Sequence, residues 1–305
     1  MSESGPRPAG TVLRAGGGTY DVSLDDGSTV EASIRGRLKL QARTGDRVVA
    51  GDRVRIAHHD DGAHTIESVE PRRSQLARRA PGRGAGRARI IVANVDQVVI
   101  VFAAAHPEPH LRMLDRFLVL AEANDLPARI VVNKTDLVAP GAIDAGWAPY
   151  RDAGYSVLGT SVVEQRGLHE LREQLCTRES VLAGPSGVGK SSLLNAIEPG
   201  LGLRIGDVSA AVGKGRHTTV TAQLVPLGCG GFVVDTPGLR ELGLWGVDDD
   251  ALPTLFPEFR ALADQCRFRN DCSHVHEPDC AVRAAVARGA IARARYDSYL
   301  AMREH

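Results

Sequence analysis

Gly184-Pro185-Ser186-Gly187-Val188-Gly189-Lys190-Ser191 is a glycine, four residues, then Gly-Lys-Ser, which is the P-loop pattern. Its flanks fit as well. Ser180 to Ala183 reads as a short buried strand, and Ser191-Ser192 opens a helix reaching Ile197. The glycines let backbone N–H groups turn inward around a phosphate chain, and the helix N-terminus adds partial positive charge. Lys190 is expected to reach the β- and γ-phosphates, with the Ser191 hydroxyl on Mg²⁺. The stretch from Gly184 to Ser192 is therefore read as a nucleotide site.

The second signal lies upstream. Arg129-Ile130-Val131-Val132 reads as a buried strand, and Asn133-Lys134-Thr135-Asp136 stands at its carboxyl end, where ligands sit in open α/β sheets. Asn-Lys-x-Asp is the guanine-reading motif of GTPases. The Asp136 carboxylate can accept from both the ring N–H and the exocyclic amine of guanine, and adenine would leave it unpaired. Asn133 is expected to brace the loop and Lys134 to lay its stem along the base. Thr160-Ser161, after the strand Tyr155 to Leu158, is a candidate for a further loop closing over the base.

The order of these motifs is unusual. A GTPase ordinarily runs P-loop, switch, Asp-x-x-Gly, then Asn-Lys-x-Asp. Here the base-reading motif comes first, and Asp235-Thr236-Pro237-Gly238 follows the P-loop. The reading is a circularly permuted GTPase, with a helix around Leu168, Leu171 and Leu175 bridging the old ends. Phe232 to Asp235 reads as a Walker-B-like strand, Asp235 holding Mg²⁺ through water and the Gly238 N–H sensing the γ-phosphate. Leu239 stands where Ras-like proteins place the glutamine that orients the attacking water, so another group must do so. Gly213 to Thr219 has the character of a switch loop. Thr219 is the candidate Mg²⁺ ligand, with Thr218 as rival, and His217 is the candidate water-positioner. Lys190, His217 and Thr219 make up the catalytic set.

The rest of the chain divides around this domain. Residues 1–9 read as a disordered tail without the apolar core of a signal peptide. Residues 10–71 alternate strand and turn. The candidate strands are Val12 to Arg14, Thr19 to Val22, Thr29 to Ala32, Asp46 to Val49, Arg53 to Ile56 and His64 to Glu67. They imply a small closed barrel, OB-like in preference to SH3-like. Residues 72–89 read as a basic linker rich in arginine, suited to a phosphate backbone. The GTPase domain takes 90–248, with Ile90 to Ala93 and Val98 to Phe102 read as strands buried on both faces.

Residues 249–305 carry Cys266, Cys272, His274 and Cys280. Three thiolates and an imidazole in so short a span match one closed, structural Zn²⁺ site, with His276 as a competing ligand. Cys176 and Cys229 read as separate packing residues. Five cysteines, an odd number, argue against a disulfide framework and for a reducing cytosol. Residues 281–303 read as helical, with Arg283, Arg288, Arg293 and Arg295 forming a basic face. Lys plus Arg and Asp plus Glu both number 37, so net charge points to no partner. No run of eighteen apolar residues marks a membrane span, and a monomer is expected.

An OB-like barrel, a permuted GTPase domain and a Cys-Cys-His-Cys zinc-binding helical domain, in that order, resemble the ribosome small-subunit-dependent GTPase A family (RsgA, also called YjeQ). The matching stretches are Ala93 to Gln97, Asn133 to Asp136, Gly184 to Leu194, Gly215 to Thr219, Asp235 to Leu239, and the zinc run with Glu277-Pro278. The resemblance implies a cytoplasmic, late maturation factor of the small ribosomal subunit. Such a factor binds the subunit and its rRNA, hydrolyses GTP to GDP under stimulation there, and leaves. It carries the water-positioning role over to His217. The chain departs from the family in placing five residues, Arg267 to Asp271, between its first two zinc cysteines instead of four. A large-subunit assembly GTPase and a signalling-type GTPase with a protein effector are the alternative readings.

Overall fold

Five short strands with inward-facing aliphatic residues begin the fold: β1 (Ala9–Gly16), β2 (Thr19–Leu24), β3 (Thr29–Ile34), β4 (Arg53–His58) and β5 (His64–Val69). The structure is a computed structural model that describes residues 8–34, 47–78, 89–203, 222–235 and 250–304. The strands follow the order β1-β2-β3-β5-β4, and β4 pairs back onto β1 through Ala9↔Arg55 and Thr11↔Arg53. That pairing closes the barrel. Only β3 and β5 run parallel, as the OB-like reading requires of a five-stranded barrel with a crossing connection. Val12, Val22, Ala32, Ile34, Val48, Val54, Ile56 and Ile66 fill the interior. Burying each valine or isoleucine among them contributes about 1.5–3 kcal/mol before the entropy of ordering is charged against it.

Two local expectations change here. Residues 47–49 form no strand. Val48 is instead a loop residue sunk into the barrel core, and the Val49 N–H donates to Asp52 Oδ2 at 2.8 Å. Ile90 to Ala93 is not a strand of the α/β sheet. It belongs to β7 (Arg89–Ala93), which pairs antiparallel with β6 (Gln75–Arg78) in a separate two-stranded sheet. Part of the basic segment is thus ordered. Arg72 is paired with the buried Asp52 at 2.7 Å, and Arg73 with Asp96, so both serve the fold.

From Gln97 strands and helices alternate: β8 (Gln97–Ala103), α1 (Leu111–Glu122), β9 (Ala128–Asn133), α2 (Ala142–Asp152), β10 (Ser156–Gly159), α3 (Leu168–Leu175), β11 (Glu179–Ala183) and α4 (Lys190–Ile197). A hairpin of β12 (Gln223–Pro226) and β13 (Phe232–Asp235) follows. The C-terminal segment holds α5 (Pro257–Arg260), α6 (Ala281–Ala287) and α7 (Arg293–Arg303). The chain divides into two compact units. The first comprises Met1–Gln97, Gln174–Leu182 and Asp207–Gly238, and the second Val98–Glu173, Ala183–Gly206 and Leu239–His305.

Within the first unit β11 runs parallel to β13 with Glu179↔Phe232 in register. β12 lies antiparallel to β13, and β12 meets the barrel through Arg14↔Gln223. Cys176 and Cys229 form a disulfide across a sequence separation of 53, with their Cα atoms 5.3 Å apart. This corrects the expectation that they are separate packing residues. The parallel register of β11 and β13 is the cause, since each cysteine precedes a registered partner by three residues.

In the second unit β10, β9 and β8 form a parallel sheet, and every residue of β8 is buried. A strand covered on both faces needs this unbroken apolar text. Helix α1 turns Leu114, Phe117, Leu118 and Ala121 inward, at helical spacing, and the His110 side chain caps it by accepting from the Met113 N–H at 3.3 Å. The C-terminal segment has its own core of Phe256, Phe259, Tyr296 and Tyr299 around the cysteine cluster, and Val119 of α1 packs into it. The helical reading of residues 281–303 resolves into two helices, α6 and α7. Arg295 leaves the expected basic face altogether. It is buried against Asp115 and Glu258. Among the described residues no helix is long and apolar enough to cross a membrane.

Candidate nucleotide site and metal centre

The P-loop folds as a tight turn between β11 and α4 because its glycines permit it. Gly184 has φ +130, and a Cβ there would lie 2.1 Å from the Val101 carbonyl oxygen of β8. Gly189, at φ +94, forms the N-cap of α4. The Lys190 ammonium donates to the Gly184 and Pro185 carbonyls, both at 2.7 Å. Lys190 and Ser191 are buried at the start of the helix, so their polar groups are held inside the turn and not out in solvent.

The Asn133 to Asp136 loop is fastened to this turn by two side chains. The buried Asn133 Nδ2 donates to the Val188 carbonyl at 2.9 Å, and its Oδ1 accepts from the Thr160 hydroxyl at 3.2 Å. Lys134 adopts a left-handed conformation, which aims its ammonium at the Gly187 carbonyl, 2.8 Å away, and at the His106 carbonyl. Thr135 Oγ1 donates to the Thr160 carbonyl at 3.1 Å. The Ser161 hydroxyl donates to Asp136 Oδ1 at 2.6 Å and accepts from the Glu164 N–H. Asn133 to Asp136, Thr160-Ser161 and the P-loop from Gly184 to Ser191 therefore converge in one place. A carboxylate is presented at one end and the glycine-rich turn with the Lys190 ammonium at the other. This suits a base with two adjacent donors joined to a phosphate chain.

The metal centre is equally compact. One ligand atom from each of Cys266, Cys272, His274 and Cys280 lies within 4.8 Å of all the others, and the four residues are buried. His274 Nδ1 stands 3.4 Å from Cys280 Sγ and 3.7 Å from Cys266 Sγ. Zn–S and Zn–N bonds in a tetrahedron give an S···N edge of about 3.6 Å, so the donor set fits one zinc ion. Burial pushes the Cys272 thiol up to about 12, an effect that a dication among the thiolates would offset. Around the cluster, the Tyr296 hydroxyl donates to the His274 carbonyl at 2.7 Å, and Glu277 accepts from the backbone N–H groups of Ser273, Val275 and His276. Desolvation would raise the Glu277 carboxyl, but these hydrogen bonds outweigh it and hold it at about 2. His276 is exposed and outside the cluster.

Comparison with known proteins accounts for this combination. The family model described as RsgA GTPase matches residues 69–245. The chain belongs to the RsgA GTPase family. A relative from Gemmatimonas aurantiaca, named small ribosomal subunit biogenesis GTPase RsgA, is 54% identical over 97% of this chain and 96% of its own length. One of the same name from Moorella thermoacetica is 45% identical over 95% and 94%. The crystal structure of YjeQ from Thermotoga maritima superposes with a TM-score of 0.76 at 36% identity, covering 98% of both chains. That of YloQ, described as a circularly permuted GTPase, gives 0.77 at 31% identity, covering 100% of this chain and 96% of its own. As an RsgA family member the chain is a circularly permuted GTPase, a hydrolase acting on GTP.

Several expected members of this RsgA site are not among the described residues. His217, Thr218, Thr219 and Gly238 lie outside the described residues, and of Asp235 only the strand position is described. The sequence reading missed His106. Its carbonyl receives Lys134, and nothing in the Ala104 to His110 text marks it, because the contact uses backbone and not side chain.

Proposed function

We propose that this chain binds GTP with Mg²⁺ and hydrolyses it to GDP and phosphate on the small ribosomal subunit, in whose late maturation it acts. The observation that carries the reading is the near-full-length similarity to relatives named for that process. The clasp between Asn133 and Val188 supports guanine specificity, since it ties the base loop to the phosphate loop at fixed spacing.

In this reading Asp136 accepts from the guanine ring N–H and amine while Lys134 flanks the base. Lys190 would exchange its carbonyl partners for the β- and γ-phosphates, and Ser191 and Asp235 would hold the Mg²⁺, which would supply charge neutralisation on those phosphates. Thr219, or its neighbour Thr218, would be a further Mg²⁺ ligand, and the Gly238 N–H would meet the γ-phosphate. His217 orients the water that attacks the γ-phosphorus as the bond to the bridging oxygen breaks. Cys266, Cys272, His274 and Cys280 hold one structural zinc ion, and four good ligands leave it no open position. The barrel (10–71), basic segment (72–89), GTPase domain (90–248) and zinc domain (249–305) then act as one cytoplasmic monomer that contacts rRNA.

The test is GTP turnover by the purified protein alone, with small subunits and with large subunits, beside a His217→Ala variant. Strong stimulation by small subunits only, lost in the variant, is expected. Stimulation by large subunits would favour a role in their assembly. No response to either would leave a GTPase with some other effector.

A further inference from the structure

Three of the five cysteines belong to the metal cluster, and the remaining two face each other at the foot of the paired strands β11 and β13. Cys176 lies in the turn after α3 and Cys229 in the turn joining β12 to β13, both half-buried. What brings them together is independent of the sulfur bond. The Phe232 N–H donates to the Arg178 carbonyl at 2.9 Å. Gly231 lies so close to the first turn that a Cβ there would stand 2.4 Å from the Leu175 carbonyl oxygen. The parallel register of Glu179 with Phe232 completes the alignment. These backbone contacts do not use the sulfur bond and so favour the two cysteines staying adjacent when it is open. It closes a loop that contains the P-loop and α4. It sits at the N-terminal ends of β11 and β13, away from Ala183 and Asp235 where those strands finish.

We propose that Cys176 and Cys229 are a reversible redox pair, a dithiol that a small-molecule disulfide converts to a staple between the strands leading to the P-loop and to Asp235. In a reducing compartment disulfides are transient and serve as sensors or catalysts, which makes a permanent structural bridge the poorer reading. One cysteine thiolate attacks the small disulfide and displaces one small thiol, leaving a mixed disulfide. The second thiolate then attacks the protein sulfur of that mixed disulfide and displaces the other small thiol. The two protein thiols are oxidised, one small-molecule disulfide is reduced to two thiols, and those thiols carry away the two protons. Closing the loop restricts the unfolded chain, so the oxidised form resists heat better.

The experiment uses the full-length, metal-loaded protein equilibrated with glutathione at increasing oxidised-to-reduced ratios, followed by alkylation and peptide mass mapping. A peptide joining Cys176 to Cys229 is expected to accumulate with that ratio and to disappear on return to reducing buffer. The oxidised form should melt roughly 5 °C or more above the reduced one. Cys229→Ser should remove both the bridge and the shift while basal GTP turnover stays unchanged. Separate mixed disulfides on the two cysteines, or no bridge at any ratio, would overturn the proposal. A bridge that persists under reducing ratios would do the same, because it would then be structural. No ribosomal subunit enters these measurements, so they stand apart from the reading of small-subunit function.

Discussion

The Arg295 guanidinium donates to the Asp115 carboxylate at 2.6 Å, with both side chains almost sealed from water. Glu258 takes the other edge of the same guanidinium at 2.8 Å, and the rings of Tyr150, Tyr155 and Phe256 lie within 5.9 Å of it. Helix α7 is thereby locked to α1. Truncating one partner leaves a buried charge uncompensated, so Arg295→Met should cost about 3–5 kcal/mol. Adding Asp115→Leu removes the orphaned carboxylate and should recover much of that loss, since Glu258 lies nearer the surface and can hydrate. Denaturant midpoints of the two single variants and the double variant measure the coupling. Additive losses would mean the pair carries no specific interaction.

The metal centre gives a sharper test of the C-terminal segment. Binding free energies of about 10–16 kcal/mol for structural zinc in small finger peptides exceed what the short helices α5, α6 and α7 can contribute without it. Mass spectrometry under native conditions should find one zinc per chain. A strong chelator should melt the segment after about residue 250 and expose it to protease while the barrel stays folded. His274→Ala should lose the ion and His276→Ala should keep it. The reverse result would mean that His276 replaces His274 in solution.

How much of this was legible in the sequence depended on the separation of the cooperating residues. Gly184 to Ser191 and Asn133 to Asp136 each carry their chemistry in one contiguous stretch, and the Cys-Cys-His-Cys run does so within fifteen residues. Local spacing therefore reported them directly. Arg295 finds Asp115 from 180 residues away, and as text it is one more arginine on a helix of arginines. Cys176 and Cys229 are joined only through the register of β11 and β13, which no local pattern encodes. Ile90 to Ala93 misled for a related reason. A short apolar run reads the same in a central strand and in a two-stranded hairpin, and only its partner β6 decides.

Guanine specificity can be read out by chemical substitution at one atom. In the proposed reading Asp136 accepts from two adjacent donors on guanine, whereas an amide at that position would accept from one and donate to a second group. Xanthine offers that second arrangement, a ring N–H beside a carbonyl. Asp136→Asn should therefore weaken GTP binding about 100-fold or more and improve xanthosine triphosphate binding by a comparable factor. Ser161→Ala, which removes the hydroxyl that orients the Asp136 carboxylate at 2.6 Å, should cost both nucleotides about fivefold, the worth of one hydrogen bond near 1 kcal/mol. Fluorescent-nucleotide titrations with both bases measure this. Equal losses for the two bases in Asp136→Asn would remove the residue from base recognition.

Glu179, at the start of β11, gives a pH dependence with a definite sign. Burial pushes its carboxyl up to about 8, although the Arg73 guanidinium 3.7 Å away pulls the other way. Its Oε2 is buried with no hydrogen-bond partner among the described residues. The folded state thus holds a proton that the unfolded chain, with an ordinary glutamate value, has released by neutral pH. The stability this contributes is complete below about pH 4.5 and drains away as pH rises through 8. Glu179→Gln replaces the acid by a group that never ionises, so the variant should match the parent near pH 5. It should be more stable by about 1–2 kcal/mol at pH 9, the order of cost of a buried group left unsatisfied. Thermal melts from pH 5 to pH 9, at fixed ionic strength so that the Arg73–Asp96 pair is equally screened throughout, would show the two curves parting as pH rises from about 5 to about 8 and running parallel beyond it. Curves that stay parallel over the whole range would mean that Glu179 is ionised in the folded protein and held by Arg73 after all.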